Sequence, residues 1–193
     1  MKHFITVTFC VWILCACTQR AERTPEETSS PPSTDSAALI QNPGFESGTI
    51  EPWGTAIHAN PQSYDFQIVT DAIRSGRHTL KIQGDGREPW GGIIQNAGSG
   101  DLAGKRMRLT AWAKGTGLVE GVQFIVVFKD TMAMPVDHVF SNLGASFDWQ
   151  ELHHEFDVPD QKTRVEIGVM LLGAGTLWLD DISLEVIQPS QHH

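Results

Sequence analysis

Asp180 and Asp181 interrupt the apolar run "TLWLDDISLEV", residues 176–186. In a strand, alternate residues face opposite ways. Trp178, Asp180, Ile182, Leu184 and Val186 are then expected on one face, and Leu179, Asp181, Ser183 and Glu185 on the other. Asp180 thereby points to the apolar side, where an unpaired carboxylate is costly. Something must therefore neutralise it. A second cluster is "HHEFD", residues 153–157. On a strand, His153, Glu155 and Asp157 share one face while His154 takes the other. Three such residues could bind zinc, although this pattern more often makes a solvated strand face. There is no G-x-S-x-G elbow, no H-E-x-x-H and no P-loop. No carboxylate pair is singled out for glycoside hydrolysis. The sequence therefore reads as that of a non-enzyme.

Binding chemistry is better represented. The chain has six tryptophans and one tyrosine. Sugars present flat C–H faces that pack on aromatic rings, and their hydroxyls need polar partners. In "KRMRLTAWAKG", residues 105–115, Met107, Leu109, Ala111 and Ala113 fall on one face. Arg106, Arg108, Thr110, Trp112 and Lys114 fall on the other. By the same alternation Gln123 opposes Val122, Phe124 and Val126, and Glu166 opposes Val165, Ile167 and Val169. Trp112, Gln123 and Glu166 could together line an outer sheet face, with Trp90 of "GDGREPWGG" at its rim. Core packing is the alternative for every tryptophan, and it is the expectation for Trp149 and Trp178. Trp53 is either exposed or closes one end of the domain. His58, His78 and His138 read as ordinary polar residues.

The elements that must hold these residues are strands. No long stretch carries a helical apolar period from Leu39 onward. Short alternating runs recur instead, broken by Gly, Pro, Asn and Asp. They are "YDFQIVT", "HTLKIQG", "GGIIQN", "KRMRLTAWAK", "GVQFIVVFK", "DHVFSNL", "WQELHHEFDV", "RVEIGVMLL" and "TLWLDDISLEVI". Their number and spacing predict an all-β fold, an antiparallel β-sandwich of jelly-roll type. The near-continuous apolar runs "VQFIVVF" and "VEIGVMLL" are expected at the centre of it. A chain of 193 residues with no internal repeat holds one such domain, here residues 39–188. The net charge of −9 argues against a nucleic-acid partner.

The N-terminus, "MKHFITVTFCVWILCAC", has a basic start at Lys2 and an apolar run from Phe4 to Ala16. That run is too short to span a bilayer and has the length of a secretory signal core, so residues 1–16 are expected to be removed. It ends in "LCAC", which resembles the lipobox of bacterial lipoproteins, with Cys17 as the acylated residue. The resemblance implies a multiply acylated anchor, and Thr18 after the cysteine implies the outer membrane of a Gram-negative bacterium. Residues 17–38 are rich in Thr, Ser, Pro and Glu and are expected to form a flexible tether. Residues 189–193 are a short tail.

Four stretches in order carry a second resemblance: "NPGFESG" (42–48) with Trp53, "SGRHTLKI" (75–82), "LAGKRMRLTAWAKG" (102–115), and "WQELHHEFDVP" (149–159) leading to "LWLDDISLEV" (177–186). Together they resemble galactose-binding-like β-sandwiches, most of all carbohydrate-binding modules of the family 4/9/22 type. The resemblance implies a structural calcium held by Asp180, by Glu46 and by the carbonyl of Asn42, with a further carbonyl near Arg77 and His78. It also implies a polysaccharide or oligosaccharide partner. The expected activity is non-catalytic carbohydrate binding at the cell envelope. The alternative is a structural or protein-interaction lipoprotein built on the same fold.

Overall fold

The computed structural model describes residues 39–97, 102–129, 136–141, 145–160 and 164–189, with backbone alone for 136–141 and 188–189. All of these lie in the second of two units, Asp35–His193. The expected signal segment, Cys17, the tether and residues 190–193 lie outside the described residues.

The strands are β1 (Gly54–Ile57), β2 (Tyr64–Val69), β3 (Thr79–Asn96), β4 (Lys105–Thr116), β5 (Gly121–Phe128), β6 (Val136–Ser141), β7 (Phe147–Asp157) and β8 (Val165–Pro189). A single 3-10 turn, Pro61–Ser63, precedes β2, and there is no α-helix among the described residues. Every strand pair is antiparallel.

Two long strands serve both layers. Residues 79–84 of β3 pair with β2, and residues 91–94 pair with β1. Residues 165–172 of β8 pair with the second half of β3 and with β5, residues 174–179 pair with the first half of β3, and residues 176–189 pair with β4. One sheet therefore runs β2-β3-β8-β4-β7, and the other runs β1-β3-β8-β5-β6. This is the expected β-sandwich, with "HTLKIQG" and "GGIIQN" fused into one strand and the last two runs fused into another.

The crossing between sheets needs glycine. A Cβ on Gly84 would lie 2.4 Å from Gly173 O, and Gly173 itself has φ +63°. Tyr64 fills the corner: a Cβ on Gly91 would sit 2.4 Å from its ring. Between the layers Ile82, Ile93, Leu109, Phe124, Ile167, Leu171 and Leu179 are fully buried. Residues that take part in this core alternate as expected in β4, in β5 and in the first half of β8.

The alternation fails at the aspartates. Thr110 pairs with Ser183 and Trp112 pairs with Asp180, so one β4 residue stands opposite two on β8. This is a β-bulge, and Asp181 takes a left-handed φ of 44° within it. Leu177 and Leu179 face the core before the bulge, and Ile182 and Leu184 face it afterwards. Trp178 consequently does not share a face with Ile182. It lies half-buried on the outer side, between Lys81 and Lys114, which corrects the core position expected for it. Trp149 on β7 is half-buried as well. Trp53 is buried and closes one end, 6.4 Å from the Phe45 ring.

Candidate functional site

Cross-strand partners share a face. In the β1-β3-β8-β5-β6 sheet, Ala56, Gly92, Met170 and Gln123 are successive partners, and so are Gly54, Ile94, Gly168 and Ile125. Their opposite neighbours Ile93, Val169 and Phe124 fill the core, so these two rows look outward. Trp90 extends the face at one end and Glu166 at the other, six positions apart along β3 because Glu166 pairs with Asn96. At 3.3–3.4 Å per residue the span is about 20 Å.

Here lies a groove of about 200 Å³ lined by Ala56, Trp90, Ile94, Gln123, Ile125, Glu166 and Met170. Its floor is apolar and dips at two glycines. A Cβ on Gly92 would come within 2.6 Å of Met170 Sδ, and one on Gly168 within 2.9 Å of both Ile94 and Ile125 side chains. The polar groups are few. Gln123 is nearly buried, and the Glu166 carboxylate accepts a hydrogen bond from Lys129 Nζ. Three of the expected binding residues, Trp90, Gln123 and Glu166, thus meet in one place.

Trp90 is held from the β1 side. His58 N–H donates to Trp90 O at 3.2 Å, and the His58 ring stands edge-on to the indole at 5.8 Å and 78°. His58 Nδ1 donates in turn to Glu88 Oε2 at 2.8 Å, while Glu88 Oε1 accepts from Asn60 N–H. Neither His58 nor Glu88 carried a signal in the sequence, because the pairing of residues 58 and 90 follows from a four-residue strand too short to announce itself.

Trp112 is elsewhere. It does project outward from β4 as expected, but from the other sheet. Its ring is covered by the Arg74 guanidinium at 3.9 Å, and Arg74 also pairs with Asp181. Alternation tells inside from outside; it does not tell one sheet from the other. The "HHEFD" face is likewise occupied. Glu155 pairs with Arg106 and Arg108, and Asp157 pairs with Arg106, whereas His154 stacks on Phe156. Among the described residues no three His, Cys, Asp or Glu side chains are arranged to hold a metal ion.

Asp180 is completely buried. Its Oδ1 accepts from Asp181 N–H at 2.8 Å, and its Oδ2 accepts from Ser75 N–H at 3.2 Å and from the Thr79 hydroxyl at 3.4 Å. Burial nevertheless pushes its carboxyl above the usual range, outweighing the amide bonds, and the Asp181 charge adds to the rise. Glu46 caps the same connecting segment: Oε1 accepts from Arg77 N–H at 2.8 Å and His78 N–H at 3.1 Å, which holds its carboxyl below the usual range. Ile182 N–H donates to Pro43 O, so the opening and closing segments touch directly. Gly44 permits this, since a Cβ there would lie 3.3 Å from both Asp180 Oδ1 and Asp181 Oδ1. Asp180 and Glu46 are therefore the residues that could hold a cation, completed by carbonyls and water. Asn42, the third expected ligand, is engaged as well. Its carbonyl already accepts from Phe45 N–H and Trp53 Nε1, and its side-chain amide donates to Thr49 O and Glu51 O.

Comparison with known proteins places the chain in a family. The model described as "Carbohydrate binding domain", of the 4/9 type, matches residues 37–173, and the chain belongs to this family. No curated protein sequence matches it. Similar solved structures include a family 16 carbohydrate binding module (TM-score 0.58, 21% identity, 76% of this chain and 99% of that one). Another is TmCBM61 in complex with β-1,4-galactotriose (0.53, 18%, 78% and 99%). A third is the CBM22-1 xylan-binding domain of Xyn10C from Paenibacillus barcinonensis (0.54, 16%, 76% and 93%). At these identities the likeness speaks for the β-sandwich fold.

Proposed function

We propose that this protein binds a glycan, without catalysis, in the groove walled by Trp90. The carrying observation is the convergence of Trp90, Gln123 and Glu166 over an apolar floor in a member of a carbohydrate binding domain family. The indole offers a face for sugar C–H groups, and the Gln123 amide and Glu166 carboxylate offer hydroxyl partners. A non-catalytic role is supported by the lining: it contains one carboxylate, and that one is paired with Lys129, whereas glycoside hydrolysis uses two. Similar structures were solved with β-1,4-galactotriose or named for xylan, which makes β-linked oligosaccharides the first probes.

The anchor and the calcium belong to the same reading. Lipid on Cys17 would hold the domain at the outer membrane, as "LCAC" suggests. Calcium between Asp180 and Glu46 would neutralise the buried carboxylate and fasten the opening and closing segments to the 74–79 connection. A glycan array probed with the full-length chain, calcium present, tests the main claim. Binding that disappears in Trp90→Ala supports it. Silence across plant, algal and bacterial glycans rejects it in favour of a protein-contacting lipoprotein.

A further inference from the structure

We infer that His58 is a ligand-contacting residue of the groove, with its tautomer set by Glu88, and that it selects an uncharged sugar unit at the Trp90 end. The inference rests on the glycan-binding reading above. Glu88 is a carboxylate and can only accept, so the 2.8 Å contact requires the proton on His58 Nδ1. When the imidazole is neutral it has one N–H, so Nε2 is then left with a lone pair. His58 continues the strand after Ala56 and Ile57, its N–H bonded to Trp90 O, and so stands on the same outward face as Ala56 and Trp90. Its side chain is about half exposed while that of Glu88 is mostly covered, so the imidazole meets solvent far more than the carboxylate behind it.

The rim therefore pairs an aromatic plane with an acceptor. A pyranose lying on the indole points its hydroxyls outward in the plane of its ring, where one of them can donate to Nε2. A uronate carboxylate at that position would face a lone pair backed by the Glu88 charge, with no cation among the groove-lining residues at that end. The chemistry favours a neutral, hydroxyl-bearing unit.

Titration calorimetry on the full-length chain, with β-1,4-galactotriose, xylohexaose and trigalacturonic acid as probes, tests this. Phenylalanine keeps the ring edge against Trp90 and removes Nε2. His58→Phe should weaken binding of a neutral probe about fivefold or more, the size of one lost hydrogen bond, with an unchanged melting curve. Glu88→Gln should weaken it as well, and the double variant should be no worse than His58→Phe. Trigalacturonic acid should bind more weakly than the neutral probes. Undiminished affinity in His58→Phe, alongside loss in Trp90→Ala, would overturn the role of His58 and leave the proposed function standing. If neither neutral probe binds the unmutated chain, both readings fail for these glycans. The imidazole ¹⁵N spectrum supplies an independent check without ligand: a protonated Nε2 in the unmutated chain refutes the inference.

Discussion

Tyr64 is the only tyrosine in the chain, which makes the sheet crossing directly observable. Its ring packs over Gly84 and Gly91, and its single hydroxyl proton is shared between Gly173 O at 3.0 Å and Glu88 O at 3.2 Å. Burial pushes the phenol from its ordinary 10.0 up to about 12, and the negative charges of Glu120, Asp85 and Glu88 add to the rise. The direction of the stability effect follows. Below pH 10 both folded and unfolded chains keep the proton, and Tyr64 adds no pH dependence. Between about pH 10 and 12 the unfolded chain loses it first, so the folded chain binds more protons and stability falls as pH rises. Two units at about 1.4 kcal/mol each make roughly 3 kcal/mol lost by the end of that window. Phenolate absorbance during alkaline titration, followed with far-UV circular dichroism, reads it out. The phenolate should appear only near pH 12, or together with unfolding. Tyr64→Phe should remove the signal and flatten the alkaline decline in stability. Phenolate forming near pH 10 in a chain that is still folded would mean that Tyr64 is not buried at the crossing.

The two outward tryptophans should separate cleanly. A sugar covering one face of Trp90 removes on the order of 60 Å² of apolar surface from water, about 1.5 kcal/mol, so Trp90→Ala should weaken glycan binding about tenfold by calorimetry. Trp112→Ala should leave binding intact and lower stability by about 1 kcal/mol through loss of the Arg74 contact; the reverse pattern would move the site to the other sheet. Calcium at a hundredfold excess over its dissociation constant should stabilise by about 2.7 kcal/mol, a rise in melting temperature of roughly 5–10 °C for a chain of this size. Asp180→Asn should abolish that rise, and identical melting with and without chelator would count against the ion. Cys17→Ser should leave an unlipidated precursor in an acyl-labelling experiment, and normal membrane retention of that variant would sink the anchor.

Periodicity two is a local signal, and it reads well wherever the ladder is regular. Met107 to Ala113 and Val122 to Phe128 could be assigned inward from the sequence because nothing interrupts them. Gln123 and Glu166 could be assigned outward for the same reason. What periodicity lacks is any memory of pairing. It placed Trp112 beside Gln123 although β4 and β5 pair with different halves of β8 and lie in different sheets. It also lacks phase information across a bulge. One extra residue at Asp181 reverses inside and outside, so Trp178 and Ile182 part company although they stand four apart. The bulge accounts for the aspartates themselves. Asp180 lies before the phase change, on the outer side of β8 with Trp178, where the 42–46 segment and the 74–79 connection cover it. Its burial thus comes from overlying loops rather than from the space between the sheets. A carboxylate there can be satisfied by loop amides, which a strand in the sandwich centre would not allow. The apolar run suggested a charge driven into a core; the fold instead carries the charge out of the core and closes its own first segment over it.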